Sequence, residues 1–183
     1  MFIFGHLGIG SKLVSRWRNR VPLWALLLGT ILPDLIDKPL YHGLAFFIGH
    51  DAARQGIVSG TRTFGHTALF LVVIVAFAYH RNSLVWKAIA LGVVTHLLTD
   101  NIGDKIQVTL GLLSPSSPSG LQALFWPLMG WSFPVYPLAF RTSLSHLSTL
   151  RDPWVIGGEI VGFCFLAWDL IGRRRKAVTG GKP

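Results

Sequence analysis

The sequence has little charge and almost no cysteine, and these absences exclude several kinds of protein. Charged residues make up 14% of the 183 residues, whereas hydrophobic residues make up 51% and the mean hydropathy is +0.50. Soluble domains usually carry about 25% charged residues, so the composition predicts a membrane protein. The single cysteine, Cys164, excludes an intramolecular disulfide and a zinc site built from several cysteines.

Familiar catalytic fingerprints and internal repeats are also missing. No GxSxG element, phosphate-binding loop or dinucleotide-binding motif occurs between a predicted strand and a predicted helix, which is where such a motif is functional. Any chemistry must therefore come from polar residues placed next to apolar segments.

Uninterrupted apolar runs of membrane-spanning length are scarce. A single span needs about 20 apolar residues, and proline, glycine or charge breaks several of the candidates, which are residues 21–32, 68–79, 84–98, 121–140 and 154–171. Broken segments are tolerated in membranes where protein covers the backbone. We therefore predict an all-α, polytopic membrane helix bundle with short or re-entrant helices. One membrane-embedded domain should cover residues 1–176, and residues 177–183 should form a disordered tail.

The net charge of +9 is concentrated near the ends of the apolar segments. Basic residues cluster in 12–20, 81–87 and 173–176, and the positive-inside rule places such clusters on the cytoplasmic side of the inner membrane. We expect these clusters, including the basic C-terminal end, to contact anionic lipid rather than nucleic acid. The four-residue spacing of Lys12, Arg16 and Arg20 predicts an amphipathic helix at the inner interface.

Two short motifs place paired polar residues beside apolar runs. In "LPDLIDK" an apolar half-helix is predicted to run into Pro33 and to present Asp34 and Asp37 on one face. In "THLLTD" His96 and Asp100 are four residues apart, so a helix stacks them on one face.

Two further histidines extend the set. His66 in "RTFGHT" precedes the apolar run at 68–79, with Arg62 about a turn earlier, and His6 lies near the start of the chain. If each apolar segment crosses the membrane once and the basic clusters share one side, the opposite side carries His66, His96, Asp100 and both aspartates of "LPDLIDK". Ionisable residues at such positions are costly and point to function.

Imidazole and carboxylate groups are the ligand set of zinc, manganese or non-haem iron. We predict a divalent metal site, with zinc preferred and manganese as the alternative. One ion or two are both open, because six ligands exceed the needs of a single tetrahedral zinc and would suit a pair of ions. The predicted ligands are His6, Asp34, Asp37, His66, His96 and Asp100.

The order of these motifs resembles a known family. A histidine near the N-terminus, then "LPDLIDK", "RTFGHT", "THLLTD" and "WPL" resemble the YdjM-like family of LexA-binding, inner-membrane-associated, metal-dependent hydrolases over about residues 6–127. One departure is Thr67, where serine is expected. A looser similarity links the motifs to zinc-dependent phospholipase C. The resemblance implies an integral membrane hydrolase with the six residues above as its polar positions.

The predicted reaction is hydrolysis of a phosphoester or other ester bond in a lipid or lipid-linked substrate by activated water. Arg62 is expected to hold the anionic substrate or to stabilise charge that develops in the transition state. Asp37 or Asp100, if not bound to metal, is expected to act as general base or to orient a ligand histidine. Two alternatives are an ion- or proton-coupled transporter and a non-catalytic membrane scaffold. The absence of repeated halves argues against a transporter, and clustered histidine and aspartate argue against a scaffold.

Overall fold

The described part of the protein is entirely helical. In this computed structural model, the described residues are 3–15, 20–114, 120–134 and 153–178, and no β-strand occurs among them. The all-α prediction is confirmed. The helices are α1 (Ile3–Leu13), α2 (Leu23–Ile48), α3 (His50–Gln55), α4 (Ala68–His80), α5 (Leu84–Thr109), α6 (Gly120–Leu124) and α7 (Pro153–Val178), with a 3₁₀ turn at Phe64–His66 between α3 and α4.

A helix that crosses a membrane must be both long and apolar. In the described segments, no helix combines the length and the apolar character needed to cross a bilayer. The polytopic arrangement therefore stays a prediction. Helix α7 ends at Val178, and residues 179–183 of the predicted tail lie outside the described residues.

Helix α2 is continuous where the sequence predicted a break. The half-helix expected to stop at Pro33 instead runs on through Pro33 and Pro39 to Ile48. A proline inside a helix removes one backbone hydrogen bond, but Pro33 is fully buried and its backbone packs on the 3₁₀ turn, so closely that a Cβ on Gly65 would lie 2.8 Å from the Pro33 carbonyl oxygen. Both aspartates therefore lie on one continuous helix.

Helices α2 and α5 form the centre of the molecule, and their backbones touch. A Cβ added to Gly29 would lie 2.2 Å from the Ile89 carbonyl oxygen, and one added to Gly92 would lie 2.3 Å from the Leu26 carbonyl oxygen. Around this crossing the core is built from the buried side chains of Val14, Ala25, Leu26, Ala88, Ile89, Val93 and Leu97. The crossing brings the polar half of α5 beside the polar half of α2.

Substituting Gly29 with alanine should separate these helices. A methyl group 2.2 Å from backbone oxygen cannot be accommodated without backbone movement, and overpacking of this kind costs about 1–3 kcal/mol or more. The matched control is Gly43→Ala on the same helix, where nothing lies within 4 Å of the added Cβ and alanine should be neutral or stabilising by up to ~1 kcal/mol. Thermal unfolding of both variants checks the packing, and equal melting temperatures would contradict it.

Helix α1 is buried on one face, whereas Ile3, Phe4 and Leu13 are exposed. Its Gly5, His6, Gly8, Gly10 and Ser11 are buried, and the helix packs on α2, α5 and α7. The interfacial position stays a prediction, and the helix itself ends at Leu13, before Arg16 and Arg20. Residues 16–19 of the predicted helix lie outside the described residues.

The aromatic, proline-containing stretch at 124–137 is described as far as residue 134. It begins at the end of α6 and continues as turns, and its aromatic rings pack on the 3₁₀ turn. The ring of Phe64 lies 5.2 Å from that of Phe133 and 5.7 Å from that of Trp126, both edge to face. This aromatic cluster covers the turn that carries His66.

Candidate metal centre

Four elements bring the six predicted ligand residues together. Helix α1 carries His6, α2 carries both aspartates, the 3₁₀ turn carries His66, and α5 carries His96 and Asp100. The turn is held in place because the Thr67 hydroxyl caps α4, accepting from the Phe70 N–H at 2.9 Å. Thr67 thus supplies the hydroxyl group that serine would supply.

Each of the three histidines is held through Nδ1 by an acceptor behind it. The Nδ1 atom of His96 lies 2.8 Å from the carbonyl oxygen of Thr30, and that of His66 lies 2.7 Å from Oδ2 of Asp37. A carbonyl oxygen and a carboxylate only accept, so both Nδ1 atoms donate. When both rings are neutral, the Nε2 atom of each ring carries a lone pair.

His6 follows the same pattern with a longer contact. Its Nδ1 atom lies 3.3 Å from the hydroxyl oxygen of Thr99, and that hydroxyl itself donates to the carbonyl oxygen of Thr95 or His96. The hydroxyl oxygen is thus available to accept from His6. Such outer partners fix the tautomer and ring orientation of metal-binding histidines.

The Nε2 atoms meet one another and two carboxylates. Those of His66 and His96 are 3.1 Å apart, and Oδ2 of Asp100 lies 3.5 Å from the first and 3.8 Å from the second. Asp34 reaches to 3.7 Å from His66, and Nε2 of His6 lies 3.4 Å from Oδ1 of Asp100. Two lone pairs facing each other at 3.1 Å repel unless a proton or a cation lies between them.

These spacings fit a metal ion. With metal–nitrogen distances of about 2.0–2.1 Å, ligand atoms around a tetrahedral ion lie roughly 3.3–3.4 Å apart, close to the separations seen here. Ligand atoms within 4.8 Å of one another form two groups, His6 with His96 and Asp100, and Asp34 with His66 and His96. The cluster can therefore hold a metal ion, and the identity of the ion stays a prediction.

Asp37 lies behind His66, away from the Nε2 atoms. Its carboxylate accepts from the N–H of Thr63 at 2.6 Å, from the N–H of Gly65 at 2.9 Å and from Nδ1 of His66. It is fully buried and belongs to neither group of ligand atoms. These contacts favour the predicted orienting role of Asp37 over the roles of ligand and general base.

Arg62 bridges two carboxylates. Its Nη2 atom lies 3.0 Å from Asp100 and its Nη1 atom lies 2.6 Å from Asp104, and Asp104 also accepts from the N–H of Gly120 at 3.1 Å. Arg62, Asp100 and Asp104 line a small cleft with Gln107 and Trp154. The guanidinium thus ties the 3₁₀-turn region to α5.

Burial and charge set the protonation of the histidines outside the long helices. Burial, together with the charge of His96, holds the pKa of His6 well below its ordinary value. Burial also acts to lower the pKa of His66, but hydrogen bonds to Asp100 and Asp37 outweigh it and raise that pKa. The carboxylates thus favour positive charge at the position where the Nε2 atoms meet.

Access to the cluster is uneven. The side chains of His6, His66, His96 and Asp100 are 0–5% exposed, whereas Asp34 is 17% exposed and pairs with Lys38 at 2.5 Å. Asp34 is therefore the most exposed side chain of these five.

Sequence reasoning missed three residues that complete the site, namely Thr30, Thr99 and Asp104. Each had a signal in helical spacing: Thr30 precedes Asp34 by four residues, Thr99 follows Thr95 by four, and Asp104 follows Asp100 by four. Spacing alone did not reveal which face of each helix turned inward.

Comparison with known proteins gives a family but no close relative. No curated protein and no solved structure matches the chain. The family model described as YdjM inner membrane protein matches residues 2–176, which is nearly the whole chain. Together with the motif order and the cluster it forms, this match means that the chain belongs to the YdjM inner membrane protein family.

Proposed function

We propose that the protein is a membrane-embedded, metal-dependent hydrolase that cleaves a phosphoester or other ester bond in a lipid or lipid-linked substrate. The observation that carries the proposal is the 3.1 Å separation of the two Nε2 atoms of His66 and His96, each held by a donor contact through Nδ1. Buried lone pairs pointed at one another, with carboxylates beside them, are arranged for a cation.

We further propose a single ion per chain. His96 belongs to both groups of candidate ligand atoms, but it has one free nitrogen, because Nδ1 is bonded to Thr30. The two groups therefore compete for the same ligand atom. His66, His96 and Asp100 would hold the ion, and His6 and Asp34 would complete its coordination. Zinc suits this mixture of imidazole and carboxylate, and manganese is the alternative.

A divalent ion bound here supplies Lewis-acid chemistry and makes water a nucleophile near neutral pH. Asp100 would act as a ligand of the ion, and it also lines the cleft that Trp154 borders. Asp37 would keep Nε2 of His66 turned inward, since its oxygens already accept from three N–H groups.

Arg62 was predicted to hold an anionic substrate, and its contacts suggest a further role. A guanidinium that bridges two carboxylates has less positive charge to offer a substrate. We propose that Arg62 first fixes the orientation of Asp100, and that it stabilises negative charge developing next to that carboxylate during the reaction.

A lipid substrate is supported by exposed apolar side chains on the two helices that carry the carboxylates. Leu35 on α2 is 51% exposed, and Ile102 on α5 is 53% exposed. Exposed apolar surface is typical of membrane or ligand contact.

Membrane embedding is supported by the family and by the exposed faces of α4 and α7. Large apolar side chains that are at least half exposed include Leu69, Val72, Val73, Ile160, Phe163, Trp168 and Ile171. Exposed to water, these rows of side chains would be unfavourable, whereas acyl chains cover them at no such cost.

The test is hydrolysis by protein purified in detergent without a polyhistidine tag. Bis(4-nitrophenyl) phosphate reports phosphodiesterase activity, and 4-nitrophenyl butyrate reports carboxylesterase activity. We expect one of them to be cleaved. Cleavage should stop when the metal is removed and return when zinc or manganese is added. The rate of the His96→Ala variant should fall at least 100-fold, as for loss of a group essential to metal-assisted catalysis. Equal rates in the wild type and the variant would contradict the proposal.

A further inference from the structure

Helix α7 caps the N-terminal end of α1 with a carboxylate. Glu159 accepts from the N–H of Phe4 at 2.9 Å and from the N–H of Gly5 at 3.0 Å. The first N–H groups of a helix have no partner within the helix, and negative charge at this end is favoured by the helix dipole. Glu159 therefore satisfies two donors of α1 from a helix 154 residues along the chain.

The two helices also touch backbone to backbone. A Cβ on Gly8 would lie 1.8 Å from the Gly162 carbonyl oxygen, and a Cβ on Gly162 would lie 2.1 Å from the Phe4 carbonyl oxygen. Contact between glycines fixes how close the helices come but leaves sliding along them possible. The bidentate contact of Glu159 resists that sliding.

His6 is the ligand whose position depends most on its helix. It directly follows Gly5, and its ring stacks on that of His96 with 4.0 Å between centroids. Its outer contact, 3.3 Å to Thr99, is the longest of the three Nδ1 contacts. A shift of α1 along its axis would therefore move Nε2 of His6 away from Asp100 with little local resistance.

We propose that Glu159 is a positioning residue for the metal ligand His6, and that α7 thereby controls the completeness of the metal centre. This inference rests on the metal centre of the proposed function. Glu159 acts from outside the cluster: it sets where α1 lies along α7, and the position of α1 sets the distance from His6 to the other ligand atoms.

A double-mutant cycle with cobalt(II) tests the inference, with affinity read from a titration and ligand number from the visible absorption of the bound ion. We expect Glu159→Ala to raise the Kd for cobalt about tenfold, the scale seen when an outer partner of a ligand is lost. We expect His6→Ala to raise it further and to change the spectrum in the same direction. In the double variant the Kd should equal that of His6→Ala within about twofold, because Glu159 acts only through His6.

Three controls separate the outcomes. Asp169→Ala removes an equal charge from the same helix and should leave the Kd unchanged. Glu159→Gln keeps one acceptor oxygen, so it should fold if Glu159→Ala does not, and it replaces that variant in the cycle. The positioning role alone would be overturned if the increases in Kd of the two single variants multiplied in the double variant. It would also be overturned if the Kd were unchanged in both Glu159 variants. A wild-type protein that binds no cobalt would overturn the metal centre itself.

Discussion

His96→Ala should abolish stoichiometric binding of a divalent metal ion. His96 belongs to both groups of ligand atoms in the cluster, so its loss removes a ligand from each and leaves neither group with three members. Structural zinc sites bind with about 10–16 kcal/mol over four ligands, or roughly 3 kcal/mol per ligand, which is about 100-fold in Kd. Elemental mass spectrometry of protein purified in the presence of zinc should therefore find about one equivalent in the wild type and almost none in the variant.

The matched control is His80→Ala, which removes an exposed histidine at the end of α4 and should leave the metal content unchanged. A second readout is the melting temperature, because a ligand at 100 times its Kd stabilises the folded state by about 2.7 kcal/mol. Zinc should raise the melting temperature of the wild type and of His80→Ala but not of His96→Ala. Metal retained by folded His96→Ala protein would refute the site.

Asp37→Asn should destabilise the fold and weaken metal binding together. The carboxylate of Asp37 is fully buried and accepts three hydrogen bonds from N–H groups. An amide keeps one acceptor oxygen and turns an N–H₂ group toward other donors, so at least one buried N–H group loses its partner. We expect a loss of about 3–5 kcal/mol in the free energy of unfolding, as for breaking a buried charged network, measured by denaturation of metal-free protein.

Asp34→Asn on the same helix provides the contrast. Asp34 is partly exposed and pairs with Lys38, and an exposed ion pair contributes about 0–1 kcal/mol. This variant should lower metal affinity while leaving the stability of the metal-free protein nearly unchanged. If Asp37→Asn instead behaves like Asp34→Asn, then Asp37 is a metal ligand and its structural role is refuted.

The ligand-bearing motifs were predictable because they depend on local spacing. His96 and Asp100 are four residues apart on α5, and helical geometry alone puts them on one face. The assumption that consecutive apolar segments run in opposite directions then placed His66 and the two aspartates at the same end of the bundle as His96 and Asp100. The 3₁₀ turn that carries His66 was not itself foreseen, but its place directly before α4 gave the right position.

The same reasoning failed where contacts between distant segments decide the outcome. Asp34 and Asp37 share a helical face in the sequence pattern, yet the first turns toward the ligand atoms and the second toward the backbone of the 3₁₀ turn. His6 is buried by contacts that the local sequence does not show, because its ring stacks on His96 and its Nδ1 atom faces Thr99, both on α5. The close contact of α1 with α7 at Gly8 was likewise not predictable, because nothing in the sequence near Gly8 identifies Gly162 as its partner.

The crossing of α2 and α5 also bears on how the protein tolerates sequence change. The main chains of these helices are in direct contact at Gly29 and Gly92, so their separation is set by the backbone and not by the sizes of interlocking side chains. Side chains on the outer faces of both helices can therefore be substituted without changing the distance between the helices. The spacing of the ligand-bearing helices depends on the two glycines and not on those outer faces.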